Sequence, residues 1–470
     1  MSLLDRRNAL LRWERETLLA DMTRWRHLTT NDPKWQKHYS QVRRVADVLE
    51  QLLADAWGAA ENCADQEYSA SMHRDLLFAQ RIWDYFRSKI ALRDHKELRP
   101  VLQCADEFAW SCYYPAWEKA RQAQAITPVE LKEPPLVYLT GSETPFIQVR
   151  QGRYLPEGIG SGDALRYGNL LALPVPIIGM PWSLVRQAAL IITLAHEVGH
   201  AVDEDFNAGE IITGAIRGIT AIPSERRQVW LAWRRELFAD AYAVLCTGPA
   251  YPIALSDYLT TSPESVWMER VDPARPGKYP PRQLRMLFNV KLAAAAGLAD
   301  IGMWNAWEEQ YPIRGMQGFD EYAADIPHMV HALMDTPIPK FGGKSLQDVV
   351  CMTPQEWSEV ERRADNLPVV DDRLPWFASQ FRQSDETRAL FRVAFAAVTL
   401  ASYRAVDPAA KARQAEHIFE KATAWVPYGK RGPFNGETAD ALLYDAQQAS
   451  LADAVAQLRR VISEGQDNLD

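Results

Sequence analysis

The stretch "LAHEVGHAVDED", from Leu194 to Asp205, sets two histidines four residues apart with a glutamate directly after the first. On an α-helix, residues i and i+4 lie one above the other on the same face, so His196 and His200 can aim two imidazole nitrogens at one point. Glu197 is turned about a quarter of the way round the helix, close to that point without facing it. Two neutral imidazoles and a neighbouring carboxylate are the parts that hold a divalent cation and move a proton beside it. The set is incomplete, because a catalytic zinc takes three protein ligands and leaves its fourth position to water.

The third ligand has to come from elsewhere in the chain. A histidine six residues after His200 is closed as a route: Phe206 stands there, and Asp203 occupies the place of the glycine that would precede it. The segment "RRELFADAYAV" offers Glu236 to complete a His-His-Glu set, and Asp240 one turn later on the same helix face. From there Asp240 can accept the second ring N–H of a ligand histidine, which fixes the tautomer and raises ligand basicity. Ala239 and Ala243 keep that face small enough for two helices to approach. An ion pair with arginine is the ordinary use of either acid taken alone, and Gly199 fits close helix packing as well as it fits function. Tyr279, His328 and His331 are candidate donors to a transition-state oxyanion, with core packing or a helix-end contact as the ordinary alternative. His27, His38, His73, His95 and His417 sit in polar helical contexts and read as surface residues.

The joint pattern, His-Glu-x-x-His followed on a later helix by Glu-x-x-Ala-Asp, resembles the gluzincin metallopeptidases. Within them it is similar to the branch whose second motif ends in Ala-Asp. That branch carries a Pro-Pro pair followed by an arginine, usually with histidine before it. This chain has "YPPRQLR", which keeps Pro280, Pro281 and Arg285 but places Tyr279 at the histidine position. The resemblance spans about residues 183–285. It implies Zn2+ held by His196, His200 and Glu236, oriented by Asp240, with Glu197 as general base for peptide hydrolysis by an activated water. No Gly-x-Met-Glu-Asn-type motif is present to bind a free amino terminus, which favours an endopeptidase over an aminopeptidase. The alternative from another class is a non-catalytic regulatory or interaction protein built on a zincin scaffold, supported by the large helical share of the chain. A carboxylate-bridged di-iron oxidase would need a second Glu-x-x-His, and Glu197–His200 is the only one.

These residues need elements to place them, and the periodicity supplies mostly helices. Residues 1–125 show apolar positions at three- and four-residue intervals with charges between them. From about residue 126 prolines and glycines multiply, and short β-prone runs appear at Leu136–Leu139, Phe146–Val149 and "LLALPVPIIGM". Pro174 and Pro176 argue for an edge strand or extended segment in the last of these, with its backbone free to pair with substrate. One buried apolar helix is expected from Ser183 through Asp205, and another from Pro223–Ser224 to Gly248–Pro249. After the loop "DTPIPKFGGKS" the remainder is again helical. The expected fold class is α+β, predominantly α-helical, with a zincin-like core at 126–345 between helical regions 1–125 and 346–470.

The composition narrows the partners. The 470 residues carry a net charge of -9, with no basic block or basic–aromatic stripe, so nucleic acid is not an expected partner. The apolar run Ala188–Ala195 is far short of the roughly 20 residues that span a bilayer, so no membrane partner is expected either. No secretory leader pattern opens the sequence, and Cys63, Cys104, Cys112, Cys246 and Cys351 lack framework spacing. Reduced thiols in a cytoplasmic protein acting on a peptide or protein substrate are the expectation.

Overall fold

A computed structural model describes residues 2–60, 66–123, 132–150, 174–260, 262–267, 269–298, 301–313, 318–366, 386–407 and short pieces between 418 and 456. In chain order the helices are α1 (Leu3–Asn31), α2 (Tyr39–Ala60), α3 (Gln66–Ala91), α4 (Arg99–Gln122), α5 (Leu194–Asp205), α6 (Ala208–Arg217), α7 (Ser224–Thr247), α8 (Ala250–Leu259), α9 (Pro263–Trp267), α10 (Arg282–Ala295), α11 (Met303–Gln310), α12 (Phe319–Met334), α13 (Leu346–Val350), α14 (Pro354–Asn366) and α15 (Glu386–Tyr403). Strands β1 (Leu136–Thr140), β2 (Phe146–Gln148) and β3 (Ile177–Pro181) form one sheet in the order β1-β3-β2. The chain is thus predominantly helical with one small sheet. No helix among the described residues is long and apolar enough to cross a membrane.

The alternation of side chains along each strand divides the interior in two. Leu136, Tyr138 and Ile177 face a core shared with α1, α2 and α3, whereas Val137, Leu139, Ile178 and Met180 belong to a larger core with α4, α5, α7 and α15. β1 runs parallel to β3 and β2 antiparallel to it. Gly179 admits the Phe146 ring from β2, since a Cβ there would lie 2.5 Å from that ring. β3 is central, which corrects the edge position expected from its prolines. Pro174 and Pro176 precede the paired stretch, Pro181 is its last residue, and Pro176 takes part through its carbonyl, which accepts from Leu136 N at 2.9 Å. A strand paired on both sides cannot bind substrate by its backbone over that paired stretch; the outer edges of the sheet belong to β1 and β2. Residues 170–173 of the expected segment lie outside the described residues.

The long helix expected from Ser183 is also shorter than its hydrophobicity suggests. Two 3₁₀ segments, Trp182–Arg186 and Ala188–Thr193, precede α5, separated by Gln187 at φ -123° and ψ 70°. The consecutive β-branched residues Ile191, Ile192 and Thr193 lose rotamer freedom in a regular helix, which favours its later start. α7 keeps its expected limits. Pro223 occupies the N-cap position, and Gly248 ends the helix at φ 64° and ψ -155°, a conformation open to glycine alone. His38 is buried rather than on the surface, with Nδ1 2.8 Å from Gln41 Oε1 and Nε2 3.5 Å from Asp106 Oδ2. Burial, reinforced by the nearby Arg93 charge, holds its pKa well below the ordinary histidine value. His417 lies outside the described residues.

α5 packs directly against α7 in the larger core, and Gly199 sets their separation. A Cβ at Gly199 would stand 2.8 Å from Ala239 Cα and 3.0 Å from Tyr242 Cβ, so any side chain there forces the two helices apart. Gly214 in α6 faces open space on an exposed surface. Alanine at the two positions should therefore have opposite effects in urea unfolding. Gly199→Ala should cost about 1–3 kcal/mol through overpacking. Gly214→Ala should gain about 0.4–1 kcal/mol by restricting the unfolded chain. Equal effects of the same sign would remove Gly199 as the spacer.

Candidate metal centre

α5 presents His196 and His200 one turn apart, and α7 crosses it to present Glu236 and Asp240 with the same spacing. All four are buried. Glu236 Oε2 lies 3.3 Å from His196 Nε2 and 3.5 Å from His200 Nε2, and the three candidate ligand atoms all fall within 4.8 Å of one another. Both carboxylate–imidazole contacts are long hydrogen bonds, beyond the usual 2.7–3.2 Å or so of N–H···O. They fall within the edge length of a tetrahedron around a zinc ion, about 3.3–3.6 Å for donors about 2.0–2.2 Å from the metal. Two nitrogens and one carboxylate oxygen form a donor set suited to that ion. The residues present therefore fit a divalent metal.

Each ligand is held from behind to a different degree. His196 Nδ1 donates to Asp240 Oδ1 at 2.8 Å, as expected from the shared face of Glu236 and Asp240. The arginine pairing that was the ordinary alternative for Asp240 is present as well: Arg285 donates through Nε to Oδ2 and through Nη2 to Oδ1, both at 2.7 Å. Asn289 Nδ2 and the Tyr251 hydroxyl complete the carboxylate's partners at 3.2 and 2.7 Å. Glu236 Oε1, the oxygen turned away from His200, is 3.2 Å from Lys278 Nζ. His200 Nδ1 is buried without a hydrogen-bond partner among the described residues, and its ring meets that of His196 edge-on at 4.8 Å.

These surroundings separate the titrations of similar groups. Burial opposes the charged form of His196, but hydrogen bonds to Asp240 and Glu236 outweigh it and raise its pKa to about 9. For His200 burial prevails over the attraction of Glu236 and pushes the value down to about 4. Burial raises Glu197 above the ordinary glutamate value against the attraction of His196. Glu236 is also penalised by burial, yet hydrogen bonds from the two histidines carry it well below the carboxylate range.

A cavity of about 620 Å³ opens beside the cluster, with His196, Glu197, Tyr251, Tyr279 and Arg285 in its walls. Tyr279 is half-exposed at the mouth, its hydroxyl 2.9 Å from Lys278 Nζ and its ring 5.0 Å from the Arg285 guanidinium. The structure thus brings together His196, Glu197, His200, Glu236, Asp240 and Tyr279. It does not bring in His328 and His331, which lie exposed on α12 and do not line the cavity. His331 instead pairs with Asp335 at 2.6 Å, an i,i+4 contact at the helix end. Sequence reasoning passed over Tyr251, Lys278 and Asn289, and kept Arg285 as a motif residue without its partner. Only Arg285 had a local signal, the preceding proline pair. No family model matches the chain, and comparison with curated proteins and with solved structures finds no match.

Two measurements test the centre itself. Purified without added metal, the protein should carry about one zinc per chain, and Glu236→Ala should lose most of it, since two histidines leave the site incomplete. Full occupancy in the variant would remove Glu236 from the ligand set. Loading of metal-free protein at pH 7 should release about one proton per ion, because His196 is charged below its raised pKa and must give up its Nε2 proton to bind. His200, with its pKa lowered, is already neutral and adds none. Calorimetry in buffers of different ionisation enthalpy reads that number directly, and release near zero would contradict the assignment of His196.

Proposed function

We propose that this protein is a zinc-dependent metallopeptidase, most simply an endopeptidase, with a zincin-like core built from the small sheet, α5 and α7. The observation that carries this reading is the convergence of His196, His200 and Glu236, with ligand atoms within 4.8 Å of one another, beside a cavity that Glu197 lines. A zinc ion held by those three residues supplies Lewis acidity, which lowers the pKa of water to about 7 and polarises a carbonyl.

The chain's own groups account for the remaining steps. Glu197 is in the cavity wall and its burial raises its proton affinity, which suits a base that must later act as an acid. It accepts the proton as the water oxygen adds to the carbonyl carbon. It then passes that proton to the amide nitrogen as the C–N bond breaks, leaving a carboxylic acid and an amine. Tyr279 is the one candidate oxyanion donor that lines the cavity, and its hydroxyl lies 2.9 Å from the Lys278 ammonium. The outer edge of β2 supports a peptide as substrate. Thr144 and Pro145, just before β2, are in the cavity wall, so an extended chain pairing with that edge would run towards Glu197.

Glu197→Gln separates catalysis from scaffolding. The amide is nearly isosteric and leaves the three ligands in place, so zinc content and melting temperature should stay at wild-type values. A positioned general base contributes about 100- to 10,000-fold, and cleavage of a mixed peptide library should fall by that order. Retained cleavage would take Glu197 out of the mechanism. A zinc-loaded wild type that cuts no member of the library would favour the non-catalytic regulator.

A further inference from the structure

We infer that Tyr251 is a positioning residue for the metal centre, holding the His196 ring in the orientation that presents Nε2 to the ion. The inference rests on the metal site of the proposed function, not on its substrate. The Tyr251 hydroxyl lies 2.7 Å from Asp240 Oδ1 and 3.1 Å from His196 Nδ1. Asp240 is an acceptor, so the phenol donates to it and turns its lone pairs towards Nδ1. Nδ1 then faces two acceptors and no donor. The ring proton is held on that side, and Nε2 is left to the Glu236 and His200 side.

A carboxylate contact at one atom leaves the imidazole able to swing about it. Tyr251 meets the same Nδ1 from a second direction, so two acceptors rather than one fix the direction of the N–H bond and with it the ring plane, which lies within 9° of parallel to the Tyr251 ring. The hydroxyl reaches Asp240 from eleven residues later in the chain because Gly248 reverses the backbone between α7 and α8. Tyr251 also lines the cavity, as Arg285 does, so the groups that hold Asp240 adjoin the space a substrate would occupy.

Tyr251→Phe deletes one oxygen, keeps the ring, and leaves Asp240 its bonds to His196, Arg285 and Asn289. Zinc affinity, measured by competition with a chelator, should fall about tenfold, the lower end of the effect of losing an outer-shell partner. The visible absorption of the Co2+-loaded protein should change in position or intensity. Tyr242→Phe is the control: that phenol is equally buried, on the ligand helix itself, but donates to the Cys112 carbonyl at 2.7 Å. It should leave affinity and spectrum at wild-type values. Wild-type affinity and spectrum in Tyr251→Phe would overturn the inference, as would equal losses in both variants. A wild type that binds neither Zn2+ nor Co2+ would overturn the metallopeptidase reading and this inference with it.

Discussion

One buried carboxylate organises the centre of this molecule. Asp240 is fully buried on α7 and accepts from His196 on α5, Tyr251 on α8, and Arg285 and Asn289 on α10. A charge so deep is tolerated only with a partner of opposite sign and with its lone pairs satisfied, and removing one partner of such a pair costs about 3–5 kcal/mol. The two-pronged Arg285 contact meets the first need and the neutral donors the second. The proline pair before α10 has a physical role in this. Pro281 at φ -50° and ψ 144° fixes the start of the helix, and Arg285 N bonds its carbonyl at 2.8 Å, setting the guanidinium one turn in. Four helices are tied at one point, and the orientation of the His196 ring is set by the same knot.

The knot also makes two chemically identical imidazoles behave differently. His196 and His200 are buried to nearly the same extent, and both approach Glu236. What distinguishes them is Asp240, which favours the charged form of His196, whereas no described residue bonds His200 Nδ1. The metal-free centre therefore concentrates its positive charge on one histidine, alongside the anionic Glu236, while Lys278 approaches the far oxygen of that glutamate from solvent.

Much of this was legible in the sequence where a relation is local. The two i,i+4 pairs, the limits of α7 and the facing of Asp240 towards a ligand histidine follow from helical periodicity, a proline cap and a glycine stop. The β-prone runs at β1 and β2 were equally visible. What escaped has a common cause, in that its partners lie far apart in the chain. Tyr251 sits among apolar residues in α8 with nothing local to mark its hydroxyl, and Asn289 has the same disguise on α10. His38 occupies a polar stretch, yet its environment is created by Asp106 and Arg93. The prolines near β3 misled because the rule concerns residues inside the ladder, and register is not a local property.

The crossing of α5 and α7 explains why such short side chains suffice. Gly199 lies between His196 and His200, and Ala239 lies between Glu236 and Asp240, so the contact of the two helices falls within both i,i+4 pairs. Imidazole and carboxylate groups cannot span a wide gap, and helices separated by larger residues pack at about 8–10 Å. With glycine against alanine the backbones meet almost directly, and the histidines flanking the contact on one helix reach the acids flanking it on the other. Ligand spacing and packing are then one constraint. The same residues that let the larger core close also set the distance at which three donor atoms can share an ion.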